Sequence, residues 1–150
     1  MTNSEKSFNE SFAKCIKLAE QGDAEAQFLV GKVYFWGYRI KKNRRKAVKW
    51  WIKAAELGHA DAQHWLGICC ECGFGGLKQD FAVAIDWWRK AIANGNTGAL
   101  MKIVSFYLFN DNGGGKTLIS KEEALKCCQQ AALSGNSLAK HFLKNEYWWK

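Results

Sequence analysis

Through most of the chain, apolar residues recur at i, i+3 or i+4 and i+7, the spacing that places them on one face of an α-helix. Three blocks share this pattern: Ala47–Ala55, Ala84–Ile92 and Ala124–Ala132, and each is followed three residues later by a glycine. Aligning on Gly22, Gly58, Gly95 and Gly135 exposes an internal repeat with steps of 36, 37 and 40 residues. After the glycine come Asp23-Ala24-Glu25-Ala26-Gln27-Phe28-Leu29-Val30-Gly31 and His59-Ala60-Asp61-Ala62-Gln63-His64-Trp65-Leu66-Gly67; the later copies keep Ala99 and Ala139. A tyrosine recurs at Tyr34, Tyr107 and Tyr147, with Cys70 in its place in the second copy.

Stop and start signals agree with this phase. Ser7, Asn43, Asp80 and Ser120 lie fifteen residues before the four glycines and suit the N-cap, where a side-chain oxygen accepts from a free backbone N–H. Glu10 and Glu123 complete capping boxes with Ser7 and Ser120. The glycines suit the left-handed position just past a helix, and Asp23, Asn96 and Asn136 can cap the next one. The pattern predicts a leading helix at 8–21, A-type helices at 24–36, 60–72, 97–109 and 137–149, and B-type helices at 44–57, 81–94 and 121–134. The expected fold is all-α, an α/α superhelical solenoid of about four helix-turn-helix repeats. It forms a single domain over 1–150, with units at about 22–57, 58–94 and 95–134 and a closing half-repeat at 135–150. Ala26, Gly31, Ala62 and Gly67 are read as small where neighbouring backbones approach closely, with tryptophans filling wider gaps.

The repeat resembles the Sel-1-like family, relatives of the tetratricopeptide repeats. The resemblance rests on Ala-x-Ala-Gln-x-x-x-Gly-x-x-Tyr-x-x-Gly in residues 24–37 and on Lys46-Ala47-x-x-Trp50-Trp51-x-Lys53-Ala54-Ala55-x-x-Gly58. It implies an adaptor that gathers protein partners. A cysteine-rich bacterial branch of the family is secreted, carries one disulfide per repeat and is credited with binding or hydrolysing β-lactams. The six cysteines here, at 15, 69, 70, 72, 127 and 128, are not distributed one pair per repeat. They read as small core hydrophobes, and their spacing fits no paired CxxC zinc pattern.

Composition narrows the rest. The chain has 150 residues, no proline and a net charge of +8, which favours an acidic partner. No apolar run reaches the roughly 20 residues of a membrane span, and the polar start, with Glu5 and Glu10, is unlike a secretory signal; the expected location is cytoplasmic. Gly113-Gly114-Gly115-Lys116-Thr117 looks like a phosphate loop, but Asn110 stands where its first glycine belongs and a helical repeat precedes it. His64 and His141 share a phase with Phe28 and Met101, which favours packing or groove wall over catalysis. No catalytic constellation, cofactor or metal is expected. The pairs Trp50-Trp51 and Trp87-Trp88 are read as core, whereas Trp148 and Trp149 are expected to be exposed, having no following B-helix to cover them.

One stripe on the A-helices, at three, six or seven, ten and fourteen residues past the anchor glycine, varies between copies as a binding wall does. It assigns partner binding to Phe28, Lys32 and Trp36, to His64, Trp65 and Ile68, and to Met101, Lys102 and Phe109. Between Ala26 and Ala55 every charged residue is basic, and Arg39, Lys41, Lys42, Arg44 and Arg45 are taken as an electrostatic flank. The expected function is therefore a non-enzymatic protein-binding scaffold using its A-helix groove, with toxin immunity in bacteria as a narrower form. Two other readings stay open: nucleic-acid binding through the basic stretch 39–53, and a β-lactam-processing enzyme of the cysteine-rich branch.

Overall fold

The computed structural model describes residues 1–110 and 118–149. The Gly113–Thr117 segment singled out above lies outside the described residues. Among the described residues eight α-helices follow one another: α1 (Asn3–Glu20), α2 (Ala24–Trp36), α3 (Arg44–Glu56), α4 (Ala60–Cys72), α5 (Phe81–Ala93), α6 (Thr97–Phe109), α7 (Lys121–Leu133) and α8 (Ser137–Lys144). Short 3-10 turns lie at Phe74–Gly76 and Glu146–Trp149. There is no strand among the described residues. Each helix packs chiefly on its neighbours in sequence, which gives the solenoid arrangement.

The helix junctions are built alike. At the end of α1, Asp23 N–H reaches Leu18 O and Gly22 N–H reaches Ala19 O, a closure that needs the left-handed φ of +95° at Gly22. The same two bonds recur around Gly58, Gly95 and Gly135. The residue after each glycine then caps the following helix, with Asp23, His59, Asn96 and Asn136 accepting from the N–H of Ala26, Ala62, Ala99 and Ala139. His59 does this through Nδ1 and turns Nε2 to Glu25, 2.9 Å away. Asparagine or aspartate is the usual cap, so this role was missed in the sequence. The glutamine of the repeat is a tie between helices: Gln27 Nε2 donates to Ala19 O and Gln63 Nε2 to Ala55 O, both at 3.0 Å.

The core is a series of Gly–Trp contacts. A Cβ on Gly31 would run into the indole of Trp51, and one on Gly67 into that of Trp88. Both indoles are fully buried. The glycines are therefore small to admit a ring, not because two backbones meet, and glycine and tryptophan fill the same gap. In the next unit the corresponding residues are Val104 and Cys128, again fully buried: a larger A-helix residue faces a smaller B-helix one. The adjoining Trp50 and Trp87 are only half-buried, because consecutive helical positions point about 100° apart.

Four cysteines, Cys69, Cys70, Cys127 and Cys128, are core as expected, whereas Cys72 is exposed; all six are free thiols. Two helix ends differ from expectation by more than one residue. α1 starts at Asn3 because Thr2 and Glu5 form a reciprocal capping box ahead of Ser7. The last A-helix stops at Lys144, and the tail turns back so that Trp149 is buried, its Nε1 donating to Phe142 O at 2.9 Å and its ring stacked on Tyr107. Trp148 packs half-buried against Phe109 and Phe142. The expected exposure of these two tryptophans is thus corrected.

Candidate functional site

Between A-helices α4 and α6 runs a groove of about 690 Å³. His64 and Glu71 come from α4, and Met101, Lys102, Ser105 and Phe109 from α6. Four of the nine partner-binding residues expected from the sequence meet here. Lys102 Nζ lies 2.6 Å from Glu71 Oε2 and joins the two helices. Glu71 was missed, since nothing in the repeat couples a residue late in one A-helix to the middle of the next. Burial, then the Lys102 ammonium, holds the His64 imidazole below the usual histidine pKa, against an opposing pull from Asp61 and Glu71. The groove thus presents a neutral ring beside a paired cation. Phe109, the last residue of α6, is about half exposed (52%) and rests on Phe142 and Trp148.

A second aromatic patch adjoins the groove. Trp65 stacks on buried Trp51 at 5.6 Å and meets Trp36 edge-on at 5.0 Å, leaving Trp36 47% exposed. The His64 and Trp65 rings, 6.3 Å apart, connect patch and groove. Ile68 is half-buried and Lys32 exposed. Phe28 does not belong to this surface. It is buried, stacked on His59 at 4.6 Å, with the Lys32 ammonium 5.5 Å above its ring. Its position six past the anchor glycine points inward in α2, so a binding role for Phe28 is corrected to a core role.

The basic stretch divides. Arg39, whose φ of 56° is left-handed, donates to Ser4 O and Oγ and lies near the Phe8 and Tyr38 rings, fastening α1 to the loop after α2. Arg44 places its guanidinium 5.0 Å from the Phe35 ring and 4.3 Å from that of Phe74. Both side chains are held by these contacts, Arg39 exposed and Arg44 half-buried. Lys41, Lys42 and Arg45 are exposed as an electrostatic flank requires.

Catalytic chemistry finds little support in the thiols. Burial pushes Cys69 up to about 12, with Cys70 and Cys72 adding to it, and Cys127 up to about 11, with Glu123 adding to it. Such thiols are protonated at neutral pH, the wrong state for a nucleophile. No group of three metal-ligating side chains occurs among the described residues.

Residues 24–59, 60–96 and 106–136 match the Sel1 repeat family model. The chain belongs to the Sel1 repeat family. Proteins built from Sel1 repeats typically mediate protein–protein interaction. The fold is similar to that of a Sel1 repeat protein from Oxalobacter formigenes, with 29% identity and a TM-score of 0.74 over 87% of this chain and 51% of that one. It is also similar to a protective antigen of uropathogenic Escherichia coli with an SLR fold, at 29% identity and a TM-score of 0.75 over 91% of this chain and 28% of that one. In sequence, 87 residues are 30% identical to chitin synthase regulatory factor 2 of Schizosaccharomyces pombe, 57% of this Sel1 repeat chain and 17% of that protein. The chain thus spans about half or less of these relatives. No helix among the described residues is long and apolar enough to cross a membrane.

Proposed function

We propose that this Sel1 repeat chain is a non-catalytic scaffold that holds a protein partner in the α4–α6 groove, with the Trp36–Trp65 patch as an extension of the same surface. The observation that carries this reading is the groove itself. Met101 and half-exposed Phe109 offer apolar anchors, while Lys102, Glu71 and Ser105 surround them with polar groups, the composition of an interaction hot spot. Phe109 is half exposed because it ends its helix, and repeat packing alone does not need it there. Lys41, Lys42 and Arg45 stand as the charge that steers an acidic partner. A toxin-immunity role is a special case in which that partner is a toxin, and the cytoplasm is the setting that the sequence favours.

The test compares captured proteins from the source cell for the parent chain and for Trp36→Ala and Phe109→Ala, each checked for an unchanged helical spectrum. A partner lost from both variants, with dissociation faster and association little changed, supports the groove. Charge reversal at Lys41, Lys42 and Arg45 should instead slow association and flatten its salt dependence. A partner held equally by the parent and by both aromatic variants refutes the assignment.

A further inference from the structure

Away from the groove, a trough of about 400 Å³ lies between α1 and α3. Ile16, Tyr34 and Trp50 form its apolar part, and Lys46, Lys49 and Lys53 stand along it at i, i+3 and i+7 of α3, on one helical face. It shares no residue with the α4–α6 groove. We infer that this trough docks an acidic segment of a protein partner, with an aliphatic or aromatic side chain set between Tyr34 and Trp50 and carboxylates met by the three lysines.

Three observations support this. First, none of the three ammoniums has an ion-pair partner among the described residues, although Glu20 stands on the opposite wall. Instead Lys46 Nζ lies 5.3 Å from the centre of the Tyr34 ring and Lys53 Nζ 4.6 Å from that of Trp50, charges resting on ring faces. Second, although Lys46 and Lys53 belong to the repeat motif, only α3 carries all three lysines together. One unit on they are Val83, Asp86 and Lys90, and two units on they are Glu123, Lys126 and Gln130. Third, lysines at i, i+3 and i, i+4 repel one another, so the cluster works against the helix that bears it. A trio of lysines without an ion-pair partner among the described residues, carried in full by α3 alone and self-repelling along it, is matched by an anion from outside. The apolar part selects the kind of anion: Ile16 of α1 and Tyr34 of α2 favour an aliphatic or aromatic side chain, which an acidic peptide carries beside its carboxylates, while Glu20 keeps those carboxylates on the lysine wall. The inference does not rest on the groove, and together the two sites would let one chain hold two partner segments at once.

The probe is a synthetic peptide of about a dozen residues, rich in Glu and Asp with one central Leu. It is titrated into the full chain at low salt and followed by calorimetry and by the Trp50 indole N–H resonance. Its Gln-for-Glu counterpart and an oligothymidylate of equal length serve as comparisons. The acidic peptide should bind, shift the Trp50 signal and weaken as salt rises. Lys46→Glu with Lys49→Glu should weaken it by about tenfold or more, as two attractions become repulsions. Both lysines are exposed, so this variant should melt with the parent. Trp36→Ala with Phe109→Ala should leave peptide binding unchanged, which separates failure here from failure of the groove. Equal binding by the lysine variant, a silent Trp50 resonance, or tighter binding of the oligothymidylate would overturn the inference.

Discussion

Replacing Gly31 by alanine tests the packing logic of the repeat most directly, because two general rules oppose each other there. In an open helix the change stabilises, by about 1 kcal/mol of helix propensity. Here the added Cβ would meet Nε1 and Cδ1 of Trp51, far inside normal contact. The ring has nowhere to go. It is fully buried, it lies 5.0 Å from the Phe35 ring and 5.6 Å from that of Trp65, and its Nε1 donates to Phe28 O at 3.1 Å. Overpacking costs about 1–3 kcal/mol. Breaking the buried indole bond adds about 1–3 kcal/mol. Less the propensity gain, the net loss centres on about 3 kcal/mol, a fall in Tm of about 6–12 °C for a chain of this size.

Thermal melts followed by far-UV circular dichroism measure this, with Gly67→Ala as an internal comparison. Trp88 Nε1 is buried with no hydrogen-bond partner among the described residues, so that variant has no indole bond to lose and should be milder by about 1 kcal/mol or more. Combining Gly31→Ala with Trp51→Leu should cost less than the sum of the two single changes, since the shorter side chain removes the clash. A Gly31→Ala protein melting at or above the parent, or a Gly67→Ala protein more damaged than it, would refute the reasoning.

Three other outcomes are expected. Asn94 Nδ2 donates to Gln63 Oε1, but Leu57, its counterpart one unit earlier, leaves Gln27 Oε1 buried without a partner among the described residues; Leu57→Asn should therefore raise Tm by about 2–4 °C, for roughly 1 kcal/mol gained, and no rise would sink the idea. His64 titrates below its usual value in the folded chain, so the unfolded chain takes up its proton first as pH falls through about 6.5. Stability is thus lost below that pH until the folded-state value is passed, and His64→Met, which copies Met101, should reduce the loss in urea titrations between pH 7 and pH 5; an unchanged pH slope would contradict this. With a thiol reagent the native chain should show one fast cysteine, exposed Cys72, and all six only after unfolding, because burial holds Cys69 and Cys127 protonated; several fast thiols in the native chain would count against the packing described.

The ends of α2 and α6 were legible to the residue, because each is set by local chemistry, a capping side chain before the helix and a glycine or asparagine after it; α4, whose His59 cap was not read, was placed by the repeat phase. The start of α1 was not legible: Ser7–Glu10 was read as its capping box because it keeps the repeat phase, but Thr2–Glu5, outside that phase, forms the box and starts the helix. The site was legible as a stripe but not in depth. Phe28 and Phe109 lie on equivalent helices, yet one is core and the other surface, since Trp51 and His59 close over Phe28 while Phe109 ends its helix. The basic run was legible as charge but not as use, for Arg39 finds Ser4 and Arg44 finds Phe74 only after distant segments meet. The tail shows the same dependence on tertiary contact most clearly. Trp51 reaches from a B-helix to donate to Phe28 O in the A-helix of its own pair, and α8 has no such partner helix among the described residues. Trp149 supplies the equivalent contact from the 3-10 turn, donating to Phe142 O and covering the apolar side of α8. Helical periodicity alone would carry the last helix on to 149; satisfying that exposed face is what bends the chain at Asn145 and makes a residue expected at the surface part of the core.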